Sequence, residues 1–221
     1  MKALLIGATG ATGKELLELL LNDDRTEHID VFVRKNINIQ HNKLCVHIID
    51  FNHPENWKHL VKGDVLYSCL GTTLKDAGSK EAQKKVDYEY QHEFAKAAKE
   101  NKVESYVLVS ADFASAKSPF FYSKIKGQLE EDVKALEFPK LIIFNPPILI
   151  RKESNRKVEV MAVNILKFFN TFGLLKSSKP LPTELLAKAM LNAFNTLSKG
   201  AYSIKGKEIL TYASLIINKS N

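Results

Sequence analysis

Short apolar runs alternate with longer stretches of helical period along the chain. That is the pattern of strands joined by crossover helices. Ala3–Ile6 reads as a first buried strand, followed by a glycine-rich turn and a helix through Leu16, Leu17, Leu19, Leu20 and Leu21. Ile29–Val33 and Leu44–Ile49 read as the second and third strands. A short helix is expected around Trp57–Val61, ahead of a strand over Val65–Leu70. Glu81–Asn101 has the period of one long helix, with Tyr106–Ser110 the next strand. Pro119 is expected to open a helix carrying Tyr122, Lys126, Leu129 and Val133 to Leu136. Leu141–Phe144 is a further strand, stopped by Pro146 and Pro147. Val158–Phe172 and Pro182–Leu197 predict two more helices, then a short strand near Tyr202–Ile204 and a final helix.

No internal repeat, low-complexity stretch or long linker interrupts this series, so residues 1–221 are read as one domain. The expected fold is α/β, a doubly wound parallel sheet with helices on both faces and a small C-terminal substrate-side lobe. Apolar residues make up 45% and charged residues 26% of the 221, an ordinary soluble composition. A chain of this length buries roughly 70% of its unfolded surface, so it needs no disulfide. Its two cysteines, Cys45 and Cys69, lie in apolar runs without a pairing framework or a second metal-like ligand at useful spacing. Together with a first apolar stretch too short for a signal peptide, this sets a cytoplasmic location as the expectation. No run reaches the roughly 18 apolar residues of a membrane span. The formal net charge of +7 comes from lysines scattered among glutamates. It fits a solvated surface around an anionic cofactor better than a nucleic-acid or membrane partner.

Gly7-Ala8-Thr9-Gly10-Ala11-Thr12-Gly13 follows the first strand and opens a leucine-rich helix. In that context three glycines read as a dinucleotide fingerprint of a Rossmann fold. The first allows a tight turn, the second lets backbone approach a pyrophosphate, and the third lets helix pack on strand. Backbone N–H groups at the helix start then face the phosphates, with Thr9, Ala11 and Thr12 lining them. At the tip of the second strand, where NAD-selective sites place a carboxylate, the chain has Arg34 and Lys35. An arginine fork there suits the 2′-phosphate of NADP. Asp50, after the third strand, either accepts a hydrogen bond from the adenine amino group or caps the helix that follows.

Tyr122 and Lys126 are four residues apart, on one face of the expected helix. A nearby ammonium stabilises a phenolate and draws its pKa down from about 10. The tyrosine would then hand a proton to a carbonyl oxygen as NADPH delivers hydride.

These residues together resemble the short-chain dehydrogenase/reductase superfamily in its atypical branch. More narrowly they resemble Tat-interacting-protein-type oxidoreductases, near the NmrA-like group. The resemblance runs through Gly7–Gly13, Cys69-Leu70-Gly71-Thr72-Thr73, Val86-Asp87-Tyr88 and Tyr122 to Glu130. It continues through Arg151 to Arg156, Lys179-Pro180-Leu181-Pro182 and Lys188-Ala189-Met190-Leu191. It implies that Leu70, Gly71, Thr72 and Thr73 lie along the cofactor, and that Pro146, Ile148 and Leu149 lie at the nicotinamide. It also implies a catalytic role for Ser110. Ala111 stands where the family has a second serine, and Phe144-Asn145-Pro146-Pro147 where it has Phe-Arg-Pro-Gly.

The six histidines lack the helical spacing of metal ligands and read as solvated, so no metal is expected. The apolar segment 160–175, with Phe168, Phe169 and Phe172, suits a pocket wall, a partner contact or plain core. Two functions stay open. One is an NADPH-dependent reductase of a small carbonyl compound; the other is a non-catalytic NADP(H)-binding module that senses redox state or contacts another protein. A homodimer also stays open.

Overall fold

A computed structural model of the chain describes residues 1–150 and 180–215. Nine strands are present among them: β1 (Lys2–Ile6), β2 (His28–Val33), β3 (Leu44–Ile48), β4 (Val65–Ser68), β5 (Ser105–Val109), β6 (Lys140–Asn145), β7 (Leu149–Ile150), β8 (Leu181–Pro182) and β9 (Gly200–Lys205). Seven form one sheet in the order β3-β2-β1-β4-β5-β6-β9, and β7 pairs with β8 separately. Every pairing is parallel. The helices are α1 (Ala11–Leu21), α2 (Leu74–Ala77), α3 (Lys80–Lys84), α4 (Tyr90–Glu100), α5 (Phe121–Ala135), α6 (Thr183–Thr196) and α7 (Lys207–Ser214).

Both faces of a parallel sheet are covered, which is why its strands read as continuous apolar runs. The two-residue alternation is nevertheless present inside them. Leu5, Val31, Tyr67, Val107 and Ile142 point to one core, with Leu16, Leu17 and Leu20 of α1, Leu186 and Met190 of α6, and Ile209 of α7. Leu4, Phe32, Leu66, Leu108 and Ile143 point to the other, with Phe94 and Ala98 of α4, and Leu129 and Val133 of α5. The chain thus winds from β1 to β3 in one direction and from β4 to β9 in the other. The order reverses at the β1–β4 junction, the place where sheets of this kind bind their ligands.

The expected long helix over residues 81–101 is broken into α3, a wide π turn at Lys85–Glu89, and α4. Around Trp57 two 3-10 turns replace the expected helix. Too short to hold a helix alone, this stretch is fixed by the indole. Its ring stacks 4.0 Å from Phe94, and its N–H donates to the Asp50 carbonyl at 2.9 Å. Pro119 lies outside α5, whose cap is Phe120. Among the described C-terminal residues, β9 extends the main sheet beside β6, α6 and α7 pack on the α1 side, and β8 pairs with β7 apart from the main sheet. The expected helix Val158–Phe172, the segment 160–175 and Arg151–Arg156 lie outside the described residues. No helix among the described residues is long and apolar enough to cross a membrane. Cys45 and Cys69 are free and half-buried rather than core.

Gly127 sets how closely α5 approaches the loop before it. A Cβ there would overlap the backbone of Ser115 and Ala116. Alanine is the better helix former by about 1 kcal/mol, yet Gly127→Ala is expected to destabilise the fold by roughly 1–3 kcal/mol through overpacking. Urea denaturation measures this, and a midpoint unchanged or raised would show that the loop yields freely.

Candidate functional site

Because all the strands run the same way, their carboxyl ends share one edge of the sheet, and nearly every expected site residue follows such an end. Gly7 follows β1, Arg34 and Lys35 follow β2, Asp50 follows β3, Leu70 to Thr73 follow β4, Ser110 follows β5, and Pro146 and Ile148 follow β6. Ligands of open α/β sheets bind at this edge, at the point of reversal.

The glycines act as steric permissions. Gly7 has φ of +83°, and a Cβ on it would overlap the Cys69 carbonyl group. Gly10 caps α1 and donates its N–H to the Gly7 carbonyl at 2.9 Å. A Cβ on Gly13 would overlap the same carbonyl, so only glycine allows α1 this close to β1. No side chain caps α1, and its first turn carries no acid. The positive end of its dipole is therefore open to an anion. Thr9 is exposed at the mouth of the turn, Ala11 is half-buried and Thr12 is buried.

A buried polar stripe that sequence reasoning missed supports the loop after β4. Gln83, Asp87 and Gln91 recur every four residues, all buried. Gln91 donates to the Leu70 carbonyl at 3.3 Å and accepts from Ser68 at 2.8 Å. Gln83 donates to the Thr72 carbonyl at 3.4 Å, and Asp87 accepts the Thr72 N–H at 3.3 Å. Thr73 caps α2, accepting the Asp76 N–H at 3.1 Å. The repeat of polar residues along a helix was visible in the sequence, but it reads equally as a solvated face.

Asp87 sits in the π turn with none of its surface exposed, and its Oδ1 has no hydrogen-bond partner among the described residues. Such turns are frequent at functional sites. Burial pushes its carboxyl up, against the opposing pull of Lys126, the Thr72 N–H and Gln83. Lys126 is 1% exposed and donates to the Val109 carbonyl at 3.0 Å. Burial pushes its ammonium down, only partly offset by Asp87, Glu130 and Cys69. Tyr122, one turn away, is pushed up by packing and by the Asp87 charge. Since 39% of the residue remains exposed, solvent tempers that push. Ser110 donates its hydroxyl to Glu130 at 2.5 Å. Glu130 also accepts from Asn145 at 2.6 Å, and Asn145 accepts from Ser203 at 2.9 Å. The Ser110 hydroxyl is thus tied into a buried network, and Asn145, at the departure from Phe-Arg-Pro-Gly, is a working part of it.

Arg34 and Lys35 are exposed at the tip of β2. Asp50 accepts from the Asn52 backbone and side-chain amides, both at 2.9 Å, and these bonds hold its carboxyl below the usual range. It closes the turn ahead of the 3-10 segment, whose cap is His53. Pro146 accepts the Asp112 N–H at 3.1 Å, and Ile148 accepts the Leu181 N–H at 2.8 Å, tying the end of β6 to β8.

Residues 7–163 match a family described as NAD(P)H-binding. The chain belongs to this family. This NAD(P)H-binding protein is 34% identical to protein FMP52-1, mitochondrial, of Scheffersomyces stipitis over 200 residues, covering 87% of this chain and 88% of the relative. It is 35% identical to protein FMP52, mitochondrial, of Candida albicans over 199 residues, covering 87% of each. Among solved structures, the oxidoreductase ylbE of Lactococcus lactis superposes with a TM-score of 0.69 at 21% identity, over 96% of this chain and 95% of that one. That likeness shows a shared Rossmann-type fold. The cytoplasmic expectation is overturned: both fungal relatives are named as mitochondrial. The features behind it, unpaired cysteines and no membrane-length apolar run, do not distinguish one reducing compartment from another.

Asp87→Asn removes the charge that offsets the burial of Lys126. The variant is expected to lose on the order of 1–3 kcal/mol near neutral pH. A buried lysine whose pKa is depressed contributes stability above its unfolded pKa and loses it as pH falls through the folded one. In the variant that folded pKa moves further down, so the deficit should shrink as pH rises into the alkaline range. Urea denaturation across a pH series reads this. A deficit that is constant with pH would remove the Asp87–Lys126 coupling.

Proposed function

We propose that the protein is an NADPH-dependent oxidoreductase of the atypical short-chain dehydrogenase/reductase type, akin to the Tat-interacting-protein-type enzymes, acting on a small carbonyl-like substrate. The observation that carries the reading is Lys126: a lysine buried at the carboxyl edge, one helical turn from Tyr122 and facing the loop after β4. Burying an ammonium is costly and is only partly offset by the Val109 carbonyl, Asp87 and Glu130, so a part in the chemistry would account for its being kept there. The backbone cradle at Gly7, Gly10 and Gly13 and the uncapped start of α1 fit a pyrophosphate. Arg34 and Lys35, exposed at the β2 tip, would receive a 2′-phosphate, which favours NADPH over NADH. Thr72 and Thr73 belong to the loop after β4, which in this reading runs beside the cofactor, with its backbone held from behind by Asp87 and Gln83.

The bound nicotinamide would supply the hydride. In this reading Tyr122 donates the proton to the carbonyl oxygen, and the Lys126 charge lowers the cost of the phenolate left behind. The ligand-free phenol is held too high for this, so substrate and cofactor must complete the environment that brings it into range. A second reading, a non-catalytic NADP(H)-binding module that senses redox state or docks a protein, draws on Ser110. Its hydroxyl is spent on Glu130 rather than offered at the edge.

Arg34→Ala is expected to weaken NADPH binding by roughly ten- to a hundredfold while leaving NADH unchanged. Titration of cofactor fluorescence measures both, and equal effects on the two would remove the 2′-phosphate assignment. Tyr122→Phe is expected to cut NADPH oxidation by carbonyl compounds by roughly 10²–10⁴. Undiminished turnover would remove the tyrosine from the chemistry. NADPH binding without turnover across an aldehyde and ketone panel would favour the second reading.

A further inference from the structure

A separate cluster runs along one face of β1, β2 and β3, from Lys2 and His28 at the strand starts to His47 near the end of β3. Parallel pairing sets Lys2 beside His28 and Asp30 beside Cys45, with His47 two residues further along β3. All five side chains therefore leave the same face of the sheet. One donor atom each from Asp30, Cys45 and His47 lies within 4.8 Å of the others. His47 Nε2 is 2.9 Å and His28 Nε2 3.2 Å from the same Asp30 Oδ1.

We propose that Asp30, Cys45 and His47, with His28 as the fourth ligand, form a zinc-binding site. The donors are one thiolate, two imidazoles and one carboxylate, the mixed set that zinc takes tetrahedrally. Bonds of about 2.0–2.3 Å place tetrahedral ligands roughly 3.3–3.6 Å apart. Asp30, Cys45 and His47 already bring their donors within 4.8 Å of one another, and His28, 3.2 Å from Asp30 Oδ1 but outside that trio, joins by turning its half-exposed side chain. The surroundings also suit the role. Lys2 holds the other carboxylate oxygen, Oδ2, at 2.7 Å, which leaves Oδ1 to bind in a single-oxygen mode with its outer partner in place. His47 is stacked on Phe32 at 4.9 Å between centroids, which fixes the imidazole plane. Entry is open: β3 is an edge strand, and the side chains of His28 and His47 are 43% and 20% exposed. On binding, the Cys45 sulfur exchanges its proton for the metal, and the proton leaves to solvent. The site is invisible along the chain because its ligands come from neighbouring strands rather than from one helix or one short motif.

The test uses the full-length protein with cobalt(II) as a spectroscopic probe and zinc in calorimetric titration. One equivalent of cobalt should give a thiolate charge-transfer band and tetrahedral visible bands, both bleached by zinc. Cys45→Ser should abolish the charge-transfer band, whereas Cys69→Ser should keep it. His47→Ala should weaken zinc binding by about tenfold or more. If Cys45→Ser fails to fold by circular dichroism, Cys45→Ala gives the same reading. The proposal is overturned by the lack of a saturable one-to-one complex, by a band that survives loss of Cys45, or by a band that depends on Cys69 instead.

Discussion

Three stretches of backbone meet at one point behind the carboxyl edge: the turn at Gly7, the first turn of α1 at Gly13, and the chain leaving β4 at Cys69. No Cβ fits between them. This approach fixes the distance of α1 from β1 and leaves the helix dipole at the sheet's point of reversal. The loop after β4 is fixed relative to both. Substituting either Gly7 or Gly13 would push apart the elements that frame that point. The effect would reach the Thr72 backbone as directly as the turn itself.

On the far side of that loop the packing is polar. Gln83, Asp87 and Gln91 satisfy the loop's backbone, while α5 supplies Lys126 and Glu130 to the same interior. Burying charge in this way stabilises little and often costs more than an apolar core would. What it provides is position. The β4 loop, the π turn and the α5 face are held to one another by bonds that a slipped arrangement would break. Asp87 couples all three, since it bonds to Thr72 and its charge acts on both Lys126 and Tyr122.

The sheet was legible in the chain because its strands are uninterrupted apolar runs and because three glycines sit where a first βα turn needs them. Tyr122 and Lys126 were legible as a pair by spacing alone. Three kinds of feature were not. Asp87 and Gln91 read as helix surface, since polar residues at helical spacing look the same facing solvent or facing a loop. The break at Lys85–Glu89 carries no proline or glycine to announce it. Asp30, Cys45 and His47 meet only through strand pairing, so nothing in their linear spacing signals it. The engagement of Ser110 with Glu130 likewise depends on how α5 lies across β5 and β6. Composition said nothing of compartment.

β9 is drawn from the end of the described chain, yet it seals the edge of β6, while α6 covers apolar residues of the sheet next to α1. A chain growing from its amino end can therefore assemble β1 to β6 while one edge and part of one face still lack their cover. That interval is one of exposed strand edge and exposed leucine, the state in which neighbouring chains pair and aggregate. The last strand and helices supply that cover, so a chain cut short of Gly200 is expected to expose the β6 edge and part of the α1-side core rather than to form a smaller working domain.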